Sequence, residues 1–351
     1  MSSSIPVTVD PPAPPPPTPG PSRWPFSFYN RFSAWRTSLD LPNPGTSENL
    51  TKEAKNTLLN NYLFDGARAE LSKGLSVNPM FSVTHSFNLG SQTLPPTYSF
   101  GAMFANENLF MHGSIDHEGS LSARFNQGWT PNNVTKLQAQ LSGTPGQSVL
   151  QVEHDYSGTD YTLNAKAINP SPADLTGIYM GSYLQSITKN VALGIEGILQ
   201  RQTPDMADIA AAYLAKYTST DKSWIATAQL QGAGILQATY WQKLSDKVDV
   251  AADLQVVAAP GRRDALATLA ARYELHTASF RAQLDSTGKV AAFLEQKFAP
   301  TFSFVVSGEI DHLKNAAKVG VGVMIESSSM TPEEMGLIPP PGHLPMPMPQ
   351  P

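Results

Sequence analysis

Lys318-Val-Gly-Val-Gly-Val-Met-Ile325 decides how the whole chain is read. Val319, Val321, Val323 and Ile325 fall on one side of a two-residue period, and Lys318, Gly320, Gly322 and Met324 fall on the other. That alternation describes a strand with one apolar face and one small or polar face. Its order is polar, any, Gly, any, any, hydrophobic, any, hydrophobic. On its own the segment also fits an ordinary edge strand carrying two glycines. The residues upstream separate these readings.

From Phe64 to Glu326 the same character persists: segments of about ten alternating residues divided by turns, with no convincing helix. Phe81, Val83, Phe87 and Leu89 oppose Ser82, Thr84, Ser86 and Asn88. Val248, Val250, Ala252, Leu254 and Val256 oppose Lys247, Asp249, Asp253 and Gln255. Phe302, Phe304, Val306 and Ile310 oppose Ser303, Ser307, Glu309 and Asp311. Turn pairs such as Glu118-Gly119, Pro260-Gly261 and Thr287-Gly288 punctuate the run. The ten prolines of this span all fall between strand candidates, where a missing amide donor is tolerated. Residues 64–326 number 263, and at roughly 14 residues per strand plus turn they make about 19 strands.

So many antiparallel strands need somewhere to put their apolar faces. A sandwich buries them against each other, and a propeller repeats every 40 or so residues, a repeat not found here. A membrane barrel puts them in lipid, turns the polar faces to a lumen and leaves no sheet edge. Strands longer than the usual five or six residues, with charge in mid-strand on one face only, favour the barrel. Composition agrees. Charged residues are only 15 % and mean hydropathy is −0.21, so Ser, Thr, Asn, Gln, Gly and Ala replace charge instead of a long apolar run. The best candidate for such a run, Ser223 to Gln242, is uncharged but contains four glutamines and a Gly-Ala-Gly break, and reads as two strands and a turn.

The chain has no cysteine, which excludes a disulfide framework and thiolate chemistry. Neither a secretory signal nor an Arg-rich amphipathic presequence is expected at the amino terminus. The net charge of −5 argues against a nucleic-acid partner and permits a basic one. Residues 1–25 hold ten prolines and residues 331–351 eight, so both ends are expected as extended tails. Phe26, Tyr29, Phe32, Trp35 and Leu39 recur at helical spacing, as a helix that packs on the body or docks a partner or membrane interface. After the turn at Pro42 to Gly45, Thr46 or Ser47 is expected to cap a helix running to about Asn60, with Leu50, Ala54 and Leu58 on one stripe. Its length would be roughly 22 Å, close to the height of a barrel's apolar band, about 25 Å. The expected organisation is a tail with a short aromatic helix over 1–44, a pore-threading helix over 45–63, a barrel over 64–326 and a second tail over 327–351.

No phosphate-binding loop, nucleophile elbow or acid/base pair is present, so neither an enzyme nor a cofactor is expected. His112 and His117 bracket one strand end without a third ligand, and no metal is expected. What remains is a wall of charge. Period places Glu153, Asp155, Asp249, Asp253, Glu274, Asp285, Glu295, Glu309 and Asp311 inward, with Arg124, Lys166, Arg272, Arg281 and Lys297 on the same side. This describes either a solvated, self-neutralising lining or a conduit whose acidic patches attract a basic unfolded polypeptide. Weak, distributed binding suits transport, because a substrate held strongly cannot leave.

Leu58-Leu-Asn-Asn-Tyr-Leu-Phe-Asp-Gly-Ala-Arg-Ala-Glu-Leu-Ser-Lys73, preceded by Asn43-Pro-Gly45, resembles the start of the barrel in the channel-forming subunits of the mitochondrial outer-membrane translocase, in their fungal form. These belong to the mitochondrial porin superfamily, in which a 19-stranded barrel is already known. Lys318 to Ile325 resembles the sorting signal of mitochondrial barrel insertion, with Lys318 as the polar position, Gly320 the glycine, and Val323 and Ile325 the hydrophobic pair. The resemblance spans roughly residues 40–326. It implies an all-β transmembrane barrel of 19 strands, an inner helix, and conduction of nuclear-encoded precursor polypeptides. It also implies, as partners, a receptor subunit, small single-helix subunits, membrane lipid and further copies of the pore. An odd strand count makes the first and last strands parallel. If the helix threads the pore, both tails then emerge on one face, expected to be the intermembrane space. A voltage-dependent anion channel passing metabolites is the alternative barrel, and a soluble all-β scaffold the alternative class.

Overall fold

The computed structural model describes residues 35–328 apart from 37, 92–94, 145, 172–173, 204–205, 233, 260 and 300. Both proline-rich tails and most of the aromatic segment from Phe26 lie outside the described residues. At the segment's end the Leu39 amide donates to the Arg36 carbonyl at 3.1 Å.

Nineteen strands form one sheet, from β1 (Gly66–Val77) to β19 (Ala316–Ser328). Each strand pairs antiparallel with the next, and β1 pairs parallel with β19 from Gly66↔Gly320 to Gly74↔Ser328. The sheet is thereby closed and offers no edge. Strand lengths run from 8 to 13 residues, as an apolar band crossed at a tilt requires. The run Ser223 to Gln242 divides as the glycines suggest, into β12 (Trp224–Gln231) and β13 (Ile235–Ser245).

The outward face is apolar and uncovered. On β10 (Val191–Thr203), Leu193, Ile195 and Leu199 are exposed while Ala192, between the outward positions, is buried. On β19, Val319, Val321 and Ile325 face outward and Gly320 and Gly322 are buried. A water-soluble protein does not leave so continuous an apolar band exposed. Aromatic pairs ring its margin: Tyr217 stacks on Trp224 at 4.7 Å, and Tyr156, Tyr161 and Tyr183 form a chain at 5.9 and 6.1 Å. These rings sit at the end of the barrel where β19 finishes, hereafter the terminal end. Amphipathic rings belong at that level of a bilayer.

The expected long helix is not what forms. A 3-10 turn at Ser47–Asn49 is followed by helix α1 (Lys52–Thr57), only six residues and therefore about 9 Å long. Neither Thr46 nor Thr51 makes a side-chain cap; Thr46 Oγ1 instead accepts from Asn49 Nδ2 at 2.9 Å. Thr51 leaves helical geometry between the two turns, and Leu58 turns to extended backbone at φ −65°, ψ 151°. The predicted stripe is nonetheless correct. Leu50, Ala54 and Leu58 are all buried, joined by the wholly buried Leu59. Packing against the barrel wall, not helix propensity, holds this segment.

Candidate functional site

The inner wall of the barrel is the candidate site, and register assigns its residues. Glu153 and Asp155 on β7 (Val149–Ser157) point inward and are buried. Their cross-strand partners carry that face around the sheet: Lys136 opposes Glu153, and Arg124, opposing Gln138, shares its side. All nine predicted acids lie on inward positions of β7 to β18 (Phe302–Asp311).

The segment 42–64 threads this lumen. At the terminal end, the Pro42 carbonyl accepts from Ser186 Oγ at 2.6 Å, and Asn43 Nδ2 donates to the Gly158 carbonyl at 2.6 Å. Ser182 Oγ meets Ser47 Oγ at 2.9 Å, and Leu50 packs on Leu184 and Leu214. Helix α1 lies over β13, β14 (Val248–Ala259) and β15 (Arg262–Glu274). The Leu59 amide donates to Gln283 Oε1 at 2.8 Å, and Arg281 Cζ sits 3.7 Å above the Tyr62 ring. Leu59, Tyr62, Leu63 and Phe64 then cover an apolar patch of Ala291, Phe293, Val305 and Met324.

Gly320, expected from the sequence as part of an insertion signal, and its neighbour Gly322 meet this segment at its far end. A Cβ on Gly320 would collide with the Phe64 carbonyl oxygen, and would stand 2.6 Å from Ser307 Oγ. One on Gly322 would lie 2.5 Å from Val305 Cγ2 and 3.2 Å from Phe64 Cζ. The glycines therefore admit the residues just before β1, as well as the first strand itself, where Arg68 O is 3.4 Å from the same point. Val323 opposes Ala69 and Ile325 opposes Leu71 across the parallel seam, while Lys318 opposes Glu309.

The acids fall into groups. Lys136 Nζ bridges Glu153 at 3.0 Å and Asp155 at 2.7 Å, with Glu48 of the threaded segment at 3.6 Å. Asn164 Nδ2 donates to both of those carboxylates. Arg272 holds Glu274 and lies 4.0 Å from Asp249. Lys289 lies 3.9 Å from Glu309, and Asp311 caps the β18–β19 turn by accepting from the amides of Leu313 and Lys314. Asp253 accepts from Gln237 and Gln255, and Asp285 from Gln283. Glu295 opposes Ser279. The lining thus carries local charge neutralisation, with Asp249 and Glu274 near the terminal end and Asp285, Glu309 and Asp311 near the opposite end. His112 opposes Arg124 in mid-wall, while His117 sits in a turn, bonded to Asp116 at 2.8 Å, so the two histidines do not share a site.

Sequence reasoning missed Lys136, Glu196 and the apolar inward residues. Lys136 was legible, since Lys136, Gln138 and Gln140 alternate with Leu137, Ala139 and Leu141. Phe293 and Val305 carry no such signal: they stand at polar positions of otherwise alternating strands, and only the covering segment explains them.

Comparison with known proteins bears on this pore. The eukaryotic porin family matches residues 43–320. The chain is 40 % identical to the mitochondrial import receptor subunit TOM40 of Saccharomyces cerevisiae, covering 86 % of this chain and 82 % of that protein. It is 38 % identical to the tom40 subunit of Neurospora crassa, over 87 % and 89 % of the two chains. With the TOM40 homolog 2 of Drosophila melanogaster it shares 31 % over 82 % and 85 %.

Proposed function

The chain belongs to the eukaryotic porin family, and on that footing we propose that it is the protein-conducting channel for precursor polypeptides in the mitochondrial outer membrane. What carries the reading is the match along 82 % of a mitochondrial import subunit by a chain that closes into a 19-stranded pore. A barrel of 16–18 strands already leaves an aqueous channel. The relatives are named for import, a transport role, and not for catalysis or metabolite passage.

In this reading the acids near the two mouths receive basic presequences, Asp249 and Glu274 at one end and Asp285, Glu309 and Asp311 at the other. Because each lies beside a cation or an amide donor, the attraction is weak and repeated, which permits release. The partners are the precursors, a receptor subunit, small single-helix subunits, lipid and further copies of the pore. The test is a planar bilayer containing the purified protein. A basic presequence peptide is expected to cause brief current blocks that fade as salt rises and screening shortens. A steady anion-selective current indifferent to the peptide would instead indicate a metabolite porin.

We further propose that both tails lie in the intermembrane space. Topology supports their sharing one face, since Pro42 bonds to Ser186 at the finish of β9 (Gly177–Ser186), at the terminal end, and β19 finishes at that end. Protease added to intact mitochondria is expected to leave both tails whole until the outer membrane is ruptured. Cleavage of either tail before rupture overturns the assignment.

A further inference from the structure

Burial divides the lumen into two unequal walls. Glycines aside, every buried strand residue among those described lies on β7 to β18, and each of these strands contributes at least one. This is the footprint of the threaded segment, whose contacts run from Ser182, Ser186 and Leu214 through β13 to β15 and on to Gln283, Phe293 and Ser307. On β1 to β6 (Asn133–Leu141) the inward residues other than glycine are partly or fully exposed. None of the nine predicted acids belongs to that uncovered wall.

The chemistry of the uncovered wall differs from that of the covered one. Its inward positions include Ser82, Ser86, Ser99, Ser114, Ser122 and Asn126, all half-buried. Its carboxylates are already engaged: Glu70 with Arg68 at 2.7 Å, and Asp116 at the rim with His117. Lys136, at its border, is held by Glu153 and Asp155. Hydroxyl and amide side chains both donate and accept hydrogen bonds, as a peptide group does. A wall of such groups satisfies an extended main chain at many weak points, whatever its side chains, and among the described residues Arg124 is its one inward charge outside those ion pairs, too little to trap a chain along the whole path.

We infer that the inner face of β1 to β6 is the lane along which the unfolded, uncharged stretches of a translocating polypeptide slide, recognised through their peptide groups. The acids opposite serve the ends of the path. This rests on the conduction reading above and adds where in the lumen conduction occurs.

The absence of native cysteine makes the lane directly testable. Single cysteines replace Ser82, Ser99 or Ser122 in the lane, and Thr227, Thr268 or Ser307 on the covered wall. Each variant is expressed as full-length protein in mitochondria and checked for normal import. A precursor with one cysteine in an uncharged stretch is arrested in transit by a folded trailing domain and oxidised. Disulfide yield follows effective concentration, and the lane positions are expected to exceed the covered ones by about tenfold or more. Without precursor, a membrane-impermeant maleimide is expected to label the lane and spare the covered wall, which guards against a misfolded variant. Equal or greater yield at Thr227, Thr268 and Ser307 would overturn the lane while leaving conduction intact. Absence of disulfides at all six positions, with the precursor demonstrably arrested, would overturn conduction and the lane together.

Discussion

Gly320→Ala is expected to destabilise the finished barrel even when no insertion machinery takes part. Refolded into detergent from denaturant, the variant should unfold at lower temperature or denaturant by the equivalent of about 1–3 kcal/mol, the usual cost of overpacking a well-filled site. The added methyl would meet the Phe64 carbonyl oxygen, Ser307 Oγ and Phe64 Cδ2, the last at 2.7 Å. Two of these belong to one hydrogen bond, since Ser307 Oγ donates to the Phe64 carbonyl at 2.5 Å. Relief therefore requires the segment before β1 to lift from β18 (Phe302–Asp311), uncovering Val305 and Phe293. Val319→Leu, one residue away on the exposed outward face, should leave the unfolding midpoint unchanged. If both variants refold with the parent's stability, close packing against Phe64 is not what requires a glycine here.

Lys136→Met should have the larger effect. Glu153 and Asp155 are 3 % and 5 % exposed, and Lys136 is the cation that touches both. Breaking a buried ion pair from one side leaves uncompensated charge and costs about 3–5 kcal/mol. Two carboxylates bridged only by Asn164 would remain. The segment should also loosen, because Glu48 loses its partner at 3.6 Å, which should appear as added current noise in the bilayer. Lys136→Met combined with Glu153→Gln and Asp155→Asn should recover most of the stability, since an uncharged cluster leaves no bare carboxylate. Failure of the triple variant to recover would mean that Lys136 acts through its packing, not its charge.

These two sites illustrate what could be read in the sequence. The face of Glu153, Asp155, Glu309 or Val319 follows from counting residues in twos, because successive side chains of a strand must point to opposite sides. Parallel closure follows from an odd number of strands joined by turns. Even Lys136 obeyed the period. What escaped was the pairing and covering of these groups. The nine inward acids are mostly engaged by neighbours on adjacent strands or lie under the threaded segment, and no count of residues in twos records those partners. The long helix failed for a related reason. Its apolar stripe was genuine, but wall contacts at Leu50, Leu58 and Leu59 hold a bent path that a continuous helix would not follow.

The closing stretch Lys318 to Ile325 shows where the two kinds of information part. By itself the sequence determined that this is a strand, which side faces out, and that about nineteen such strands must close on one another. These are consequences of local chain geometry and repeat by repeat they add up. The tertiary structure alone decided that Gly320 and Gly322 seat Phe64, and that the threaded segment covers β7 to β18, touches β6 through Glu48 and Lys136, and leaves no residue but glycine buried on β1 to β6. Those outcomes depend on contacts such as Ser47 with Ser182 and Phe64 with Ser307, 135 and 243 residues apart in the chain. No periodicity records which distant wall an aperiodic segment will meet, because that choice is made by shape and hydrogen-bond complementarity once the barrel has closed.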